Sequence, residues 1–218
     1  INYREREDCA RSLVEQLTGE GCRVMAVQAD VACREQVNTM VRQVEDAFGP
    51  VALLVNNAGV AGQALFQDIT DELWHRYFSV NVDGAYHAIQ AVLPAMLHHH
   101  EGCIINTSSI CGLIGHMNTP EAYTATKGAI TLLTKSVAAR YGKDNIRCNS
   151  IHPATVDTPF VAALMADPVK KQARLNEIPL GRLTSVEDVA NAVLYLASDE
   201  ASFLNGVNLP IDGGVTCY

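Results

Sequence analysis

The sequence predicts an α/β fold, in which a doubly wound parallel sheet is covered by helices on both faces. Predicted strands and helices alternate along all 218 residues. The strands are nearly continuous apolar runs, such as Val51-Ala-Leu-Leu-Val55, which is typical of strands buried on both faces. Polar residues follow these strands, where open parallel sheets bind their ligands.

Apolar periodicity and glycine or proline punctuation define the elements of the first half. The helix that starts at 34 should end before Gly49-Pro50, and the helix that starts at 71 contains Pro94. The predicted elements, in order, are the end of a strand at 1–3, a helix at 5–18, a strand at 24–29, a helix at 34–48, a strand at 51–55 and a long helix at 71–97.

The same signals continue through the second half. We expect a strand beginning at Cys103, a helix at 122–141, a strand beginning at Ile146, short helices at 160–166 and 168–176, a helix at 186–197 and a last strand near Val207. Nothing in the pattern divides the chain, so residues 1–218 should form a single domain.

Composition agrees with a soluble enzyme of one domain and argues against nucleic-acid and membrane partners. The chain is 48% hydrophobic and 18% charged, with a net charge of -8 that would repel nucleic acid. No apolar run approaches the roughly 18 residues that a membrane span requires. Seven cysteines without a Cys-x-x-Cys pair indicate reduced thiols, and we therefore predict a cytoplasmic protein.

We interpret a run of three histidines and the single His152 as residues without a metal-binding or catalytic role. His98, His99 and His100 lie near Cys103, but consecutive imidazoles point in different directions and should not converge on a metal. His152 is interpreted as a strand-end residue. We predict no metal site.

Tyr123 and Lys127 are the strongest candidates for chemistry. Residues four apart in a helix lie on one face, one turn apart. A phenol with a pKa near ~10 is a poor acid or base at neutral pH, and a nearby ammonium can lower that pKa by roughly 1 to 3 units. The same spacing occurs on many exposed helices, so the pair alone is weak evidence.

Further motifs surround this pair in a definite order. They are Asn56-Asn57-Ala58-Gly59 after one strand, Ser79-Val80-Asn81-Val82, Ser108-Ser109 after another strand, the segment 146–153, and Leu209-Pro210-Ile211-Asp212-Gly213-Gly214. Over essentially its whole length the chain thereby resembles the short-chain dehydrogenase/reductase family, most closely its glucose-dehydrogenase-like and oxoacyl-reductase-like members.

The resemblance implies a Rossmann-type fold and an NAD(P)-dependent oxidoreductase that interconverts a secondary alcohol and a ketone. Tyr123 would be the general acid/base and Ser109 would hold the carbonyl oxygen. Lys127 would tune Tyr123 and bind the nicotinamide ribose, and Asn81 would order a proton-supplying water chain. A catalytically silent subunit or scaffold is the alternative, which a missing Tyr or Lys would have favoured.

The resemblance also implies a dinucleotide site. Asp30 would bind the adenine amino group, with Val31 against the ring. The other cofactor residues that it implies are Asn57, Ala58 and Gly59 beside a ribose, Pro153, and Val156 and Thr158 at the carboxamide. The family usually has Pro-Gly where this chain has Pro153-Ala154, and Ala154 is acceptable there if its φ is negative.

Arg4 favours NADP(H) over NAD(H). NAD-specific members usually place a carboxylate after the second strand, where this chain has Tyr3 followed by Arg4. A guanidinium can hold the 2′-phosphate of NADP. NAD(H) remains possible, because Glu5 could bind the ribose and Arg4 could be a solvated loop charge.

The substrate pocket should be walled by residues 62–70, 110–121 and 155–179. Its apolar members, Met117, Phe160, Leu164 and Met165, suit a neutral secondary alcohol or ketone. Family members commonly pair their long helices, here 71–97 and 122–141, so a homotetramer or homodimer is expected.

A dinucleotide fold also needs a first strand, a Gly-rich turn and a helix whose amides bind the pyrophosphate. The chain begins at Ile1-Asn2-Tyr3, which resembles the end of a second strand. We expect a strand-turn-helix unit of roughly 30 residues to precede it in the functional protein, with its strand between those at 1–3 and 51–55.

Overall fold

A computed structural model describes residues 1–62, 64–117, 119–158 and 161–217, without the side chains of Ala163 and Leu164. The strands are β1 (Asn2–Tyr3), β2 (Val27–Gln28), β3 (Leu53–Asn56), β4 (Gly102–Thr107), β5 (Ile146–Pro153) and β6 (Asn208–Ile211). The helices are α1 (Glu7–Gly19), α2 (Arg34–Phe48), α3 (Asp71–Phe78), α4 (Gly84–His99), α5 (Glu121–Tyr141), α6 (Ala162–Met165), α7 (Pro168–Asn176) and α8 (Val186–Ala197).

All strand pairs are parallel, but they form two sheets rather than one. Strand β1 pairs with β2, and a second sheet has the order β3-β4-β5-β6. Among the described residues no strand joins β1 to β3, and Leu53 and Val55 of β3 are 43% and 37% exposed. The separation falls where the sequence predicts a further central strand; whether a strand-turn-helix unit precedes residue 1 stays a prediction.

The larger sheet is apolar on both faces because side chains alternate along β4. Ile104 packs with residues of α2, α4 and α5, including Val92 and Val137. Cys103 and Ile105 face the other way and pack with Leu196 of α8. This two-sided core fixes the register of the sheet and therefore the position of every side chain that follows a strand.

The predicted helix at 71–97 is wrong in one respect. A π-helical turn at Ser79–Asp83 separates α3 from α4 and carries the buried Asn81. Apolar residues continue with helical spacing through this turn, so periodicity does not reveal it. Strand β2 is also shorter than predicted, since only Val27–Gln28 pairs with β1.

Two other features bear on the predictions. In the part of the chain that is described, no helix has the length and apolar character needed to cross a membrane. Leu132 of α5 is 69% exposed, as expected for a helix with an apolar outer face. A homotetramer or homodimer, and a cytoplasmic location, both stay predictions.

Candidate active site

The residues predicted for catalysis lie at the carboxyl ends of β3, β4 and β5, whereas Arg4, Asp30 and Val31 lie at the ends of β1 and β2. Register pairs Asn56 of β3 with Asn106 of β4, and Thr107 of β4 with Ile151 of β5. The next residues along each strand therefore lie side by side at one edge of the sheet. Helix α5 crosses this edge and brings Tyr123 and Lys127 to it.

Lys127 is buried, with only 5% of its surface exposed. Its Nζ donates to the carbonyl oxygen of Thr107 at 2.8 Å and lies 5.5 Å from the centroid of the Tyr123 ring. The predicted spacing on one helix face is thus realised, and the ammonium is fixed between α5 and the end of β4.

The pKa of Tyr123 shifts in the direction opposite to our expectation. Burial raises the pKa of Tyr123 to about 12, and interaction with the Ser109 hydroxyl opposes this only in part. Burial likewise lowers the pKa of Lys127 to about 8. The expected net lowering of the Tyr123 pKa is therefore wrong for this arrangement, because the loss of hydration on burial raises this pKa and dominates the shift.

Ser109 and Ser108 have different environments. The Ser109 hydroxyl accepts from the Cys111 amide at 3.2 Å and faces the Tyr123 side of the site. Ser108 instead donates to the carbonyl oxygen of Lys127 at 2.9 Å. Ser109 therefore faces the Tyr123 phenol, whereas Ser108 ties the end of β4 to α5.

Asn81 is clamped by the loop that follows β3. Its amide group donates to the Val60 carbonyl at 2.9 Å, and its Oδ1 accepts from the Val60 amide at 2.7 Å. The same Nδ2 donates to Thr126 Oγ1 at 3.0 Å, and Thr126 donates in turn to the carbonyl of Tyr123 at 2.7 Å. Thr126 thus connects Asn81 to the backbone of α5 at Tyr123, a link for which the sequence contained no signal.

A second set of buried amides supports the ends of β3 and β4. Asn56 donates to Asn106 Oδ1 at 2.9 Å, and Asn106 donates to Thr134 Oγ1 at 2.9 Å. Asn106 and Thr134 are fully buried, so these bonds are made in place of bonds to water. Sequence reasoning missed this set, although an Asn inside an otherwise apolar strand was a usable signal.

The residues that we predicted beside a ribose lie where the loop after β3 comes close to Asn81 and Lys127. A Cβ added at Gly59 would lie 3.3 Å from Asn81 Oδ1 and 3.8 Å from Lys127 Nζ. Neighbouring Asn57 accepts from the Thr107 hydroxyl at 3.3 Å. Asn57 and Ala58 also line a cleft of about 310 Å³ between the two sheets.

The predicted adenine-side residues lie at the ends of β1 and β2. Arg4 pairs with Glu5, and its guanidinium is 3.9 Å from Asp30 Oδ2. Asp30 accepts from the Ala32 amide at 2.9 Å, and the Val31 carbonyl is 3.0 Å from His87 Nδ1. The carboxylates beside Arg4 compete with any phosphate for its guanidinium.

The segment after β5 forms the far wall of the site. Val156 bridges to Thr184, and Thr158 Oγ1 is 3.4 Å from the Val156 carbonyl. Ala154, which follows Pro153, is not among the residues with positive φ, as its substitution for glycine requires. Phe160, which we predicted in the pocket, lies outside the described residues, as does the side chain of Leu164.

An ion-pair cluster joins two predicted pocket walls. Glu177, directly after α7, binds Arg174 at 3.0 Å and His116 at 3.2 Å. Burial alone would raise the pKa of Glu177, but hydrogen bonds and charge from Arg174 and His116 lower it overall. Met117, next to this cluster, is 95% exposed and does not line an enclosed pocket.

Among the described residues, the thiols and histidines do not form a metal-binding cluster. All seven cysteines are free thiols. Across residues 1–62, 64–117, 119–158 and 161–217, no group of three or more His, Cys, Asp and Glu residues could hold a metal ion.

Known proteins are similar to this chain in sequence and in fold. The model of the family described as Enoyl-(Acyl carrier protein) reductase matches residues 1–216. The 3-oxoacyl-(acyl-carrier-protein) reductase FabG of Staphylococcus epidermidis is 35% identical over 215 residues, which are 99% of this chain and 87% of that protein. The chain belongs to the short-chain dehydrogenase/reductase family.

Other members of the family are equally similar. An L-rhamnose 1-dehydrogenase (NAD(P)(+)) of a Sphingomonas species is 37% identical over 99% of this chain and 85% of its own length. The crystal structure of a gluconate 5-dehydrogenase from Burkholderia cenocepacia, in complex with NADP and tartrate, has a TM-score of 0.94 and 32% identity. That match covers 100% of this chain and 85% of the other. The predicted family, the α/β Rossmann-type fold and the oxidoreductase class are confirmed.

Proposed function

We propose that this dehydrogenase/reductase interconverts a secondary alcohol and a ketone, with NADP(H) as the favoured cofactor and NAD(H) possible. The arrangement of Tyr123 and Lys127 beside Ser109 carries the proposal. The buried Lys127 ammonium is 5.5 Å from the centroid of the Tyr123 ring, and the Tyr123 phenol interacts with the Ser109 hydroxyl. The NADP-bound gluconate 5-dehydrogenase and the NAD(P)-dependent rhamnose dehydrogenase support the choice of cofactor.

The residues present fit the nicotinamide half of such a cofactor. Gly59 exposes its backbone beside Asn81 and Lys127, and a Cβ there would fill space only 3.3 Å from Asn81 Oδ1. Lys127 and Tyr123 would bind the ribose hydroxyls, with Asn57 and Ala58 along the same side. Pro153, Val156 and Thr158 would hold the carboxamide. Asp30 and Val31 would hold the adenine, with Arg4 at a 2′-phosphate.

The chemistry then follows from the protonation states. When bound, the cofactor supplies or accepts the hydride. Tyr123 stays protonated at neutral pH, because burial raises its pKa to about 12, and it can give its proton to the oxygen of the reduced carbonyl. Lys127, mostly charged below about pH 8, stabilises the phenolate that this leaves behind.

Ser109 holds the same oxygen. Its Oγ accepts the Cys111 amide hydrogen at 3.2 Å, so its own hydrogen can point towards the substrate. A donor fixed before the reaction stabilises the charge that develops on the oxygen without further reorganisation. Asn81 is held at 2.7 and 2.9 Å by Val60 and would order the water that resupplies the proton.

The substrate is proposed to be a neutral secondary alcohol or ketone. A cavity of about 360 Å³ beside residues 59–62 is lined, among the residues that the structure describes, by Leu73, Tyr77 and one charged side chain, Arg76. Relatives named as a 3-oxoacyl-(acyl-carrier-protein) reductase and a cyclopentanol dehydrogenase act on a ketone and on a secondary alcohol, which supports this class.

The test is the oxidation of NADPH by the protein with a panel of ketones, including cyclic ketones and keto sugars, followed by nicotinamide absorbance. Tyr123→Phe is the matched control, because it removes one oxygen and leaves the ring in place. We expect the parent protein to oxidise NADPH with at least one ketone and Tyr123→Phe to lose this activity. Cofactor binding without turnover of any ketone or alcohol would favour the silent scaffold instead.

A further inference from the structure

His152 is a buried histidine that touches the peptide of Ser109. It lies on β5 and has no exposed surface. Its Nδ1 is 2.8 Å from the Ser109 carbonyl oxygen, and its Nε2 is 2.8 Å from Ser150 Oγ. Ser150 is in turn 2.9 Å from Asn208 Oδ1 on β6. A polar chain thus crosses β4, β5 and β6 directly behind the serine of the active site.

The partners of the ring determine its tautomer. A carbonyl oxygen only accepts, so the hydrogen must be on Nδ1. Burial lowers the pKa of His152 below its ordinary value; the bond to the Ser109 carbonyl opposes this, and the charges of Lys127 and Lys135 add to it, so the ring is mostly neutral at neutral pH. Nε2 therefore accepts the Ser150 hydroxyl hydrogen. The Asn208 amide can then turn its NH₂ group to Ser150, since the oxygen and nitrogen positions of such an amide are assigned from the network.

The Ser109 peptide depends on this ring. Its carbonyl accepts from the Gly112 amide and from His152 Nδ1, both at 2.8 Å. The Gly112 bond belongs to the local turn and moves with it. The His152 bond is different, because it joins the turn to the neighbouring strand of the rigid sheet.

We propose that His152 is a positioning residue, whose Nδ1–H fixes the Ser109 peptide so that the Ser109 hydroxyl meets the substrate oxygen. This inference rests on the proposed function. Because the ring is fully buried, it would act on the substrate only through Ser109. An ordinary core histidine would contribute packing alone, and the two roles make different predictions.

Two amide substitutions separate the roles. In His152→Asn the side-chain NH₂ takes the place of Nδ1, whereas in His152→Gln it takes the place of Nε2. Both remove the ring and keep an amide. We expect His152→Gln to lower kcat for ketone reduction at least tenfold with an NADPH KM within twofold of the parent. His152→Asn should recover most of that kcat. Equal losses in both variants would overturn the positioning role.

A double-mutant cycle with Ser109→Ala adds a readout that packing would not change. Because His152 acts through the Ser109 hydroxyl, His152→Gln should lower kcat little further once that hydroxyl is gone. If the two losses multiply instead, His152 acts by another route and the proposal is wrong.

The hydrogen bond itself can be observed separately. Long-range ¹H–¹⁵N spectra of the histidine rings should show His152 as the Nδ1–H tautomer in the parent protein. The Nε2–H tautomer would overturn the proposal whether or not any ketone is reduced. A parent protein that reduces no ketone would refute the proposed function. If the parent is active but His152→Asn and His152→Gln have the same kcat, only the positioning role is refuted.

Discussion

Lys127 and Arg4 are both cations that we assign to the cofactor, but the protein holds them differently. Lys127 is 5% exposed, and its ammonium donates to the Thr107 carbonyl at 2.8 Å. The Arg4 side chain is 41% exposed and is shared between Glu5 and Asp30. Water cannot replace a group that is removed at the buried Lys127, whereas it can at the exposed Arg4. Substitutions should therefore have large effects at the reactive end and small ones at the adenine end.

The largest effect is expected at Tyr123. Tyr123→Phe should lower kcat by at least the ~100-fold typical of losing a general acid, without unfolding the protein. Ser109→Ala should also be impaired. Because both groups act on one substrate oxygen, the double variant should lose less than the product of the two single losses. A Tyr123→Phe variant that keeps more than half of the parent activity would disprove the assignment.

The pH dependence should report Lys127 rather than Tyr123. Burial lowers the pKa of Lys127 to about 8, so the ammonium is lost as the pH rises through 8, while Tyr123, with a pKa of about 12, still carries its proton. The kcat/KM for ketone reduction should accordingly fall by about tenfold per pH unit above this value.

Lys127→Arg tests this origin of the alkaline limb. A guanidinium stays charged at every pH in the profile, so the residual activity of the variant should lack a limb near pH 8. A limb that remains near pH 8 in the variant would assign the titration to another group, with Tyr123 the first to examine.

Two glycines near Lys127 test how tightly this buried region is packed, through the free energy of unfolding of their alanine variants. A Cβ at Gly112 would lie 2.5 Å from Ser108 Oγ and 2.8 Å from the backbone oxygen of Lys127, whereas a Cβ at Gly128 of α5 meets nothing within 4 Å. Gly112→Ala should lower the free energy of unfolding by roughly 1 to 3 kcal/mol. Gly128→Ala should raise it by about 0.5 to 1 kcal/mol, because alanine favours the helix. Denaturant unfolding of both variants measures this, and equal stabilities would contradict the close packing at Gly112.

These expectations differ in how far the sequence could supply them. The Tyr123 and Lys127 spacing lies within one helix, so local geometry is enough to predict it. The pKa of Tyr123 depends on desolvation by segments distant in the chain, and its direction could not be read from that spacing. The π-turn at Asn81 interrupts no apolar pattern. The bond from His152 to Ser109 joins residues 43 positions apart and depends on the register between β4 and β5.

The smallest effect is expected at Arg4. If its guanidinium holds the 2′-phosphate, Arg4→Ala should weaken NADPH binding by about fivefold, a modest loss because the group is exposed and shared with two carboxylates. Affinity for NADH, which lacks this phosphate, should change less than twofold. Arg6→Ala is the matched control, since Arg6 is a neighbouring arginine with a 73% exposed side chain paired to Asp8. Binding constants for both cofactors by calorimetry decide the matter. An unchanged NADPH constant in Arg4→Ala would leave Arg4 as a solvated loop charge and return Glu5 as the candidate for the ribose.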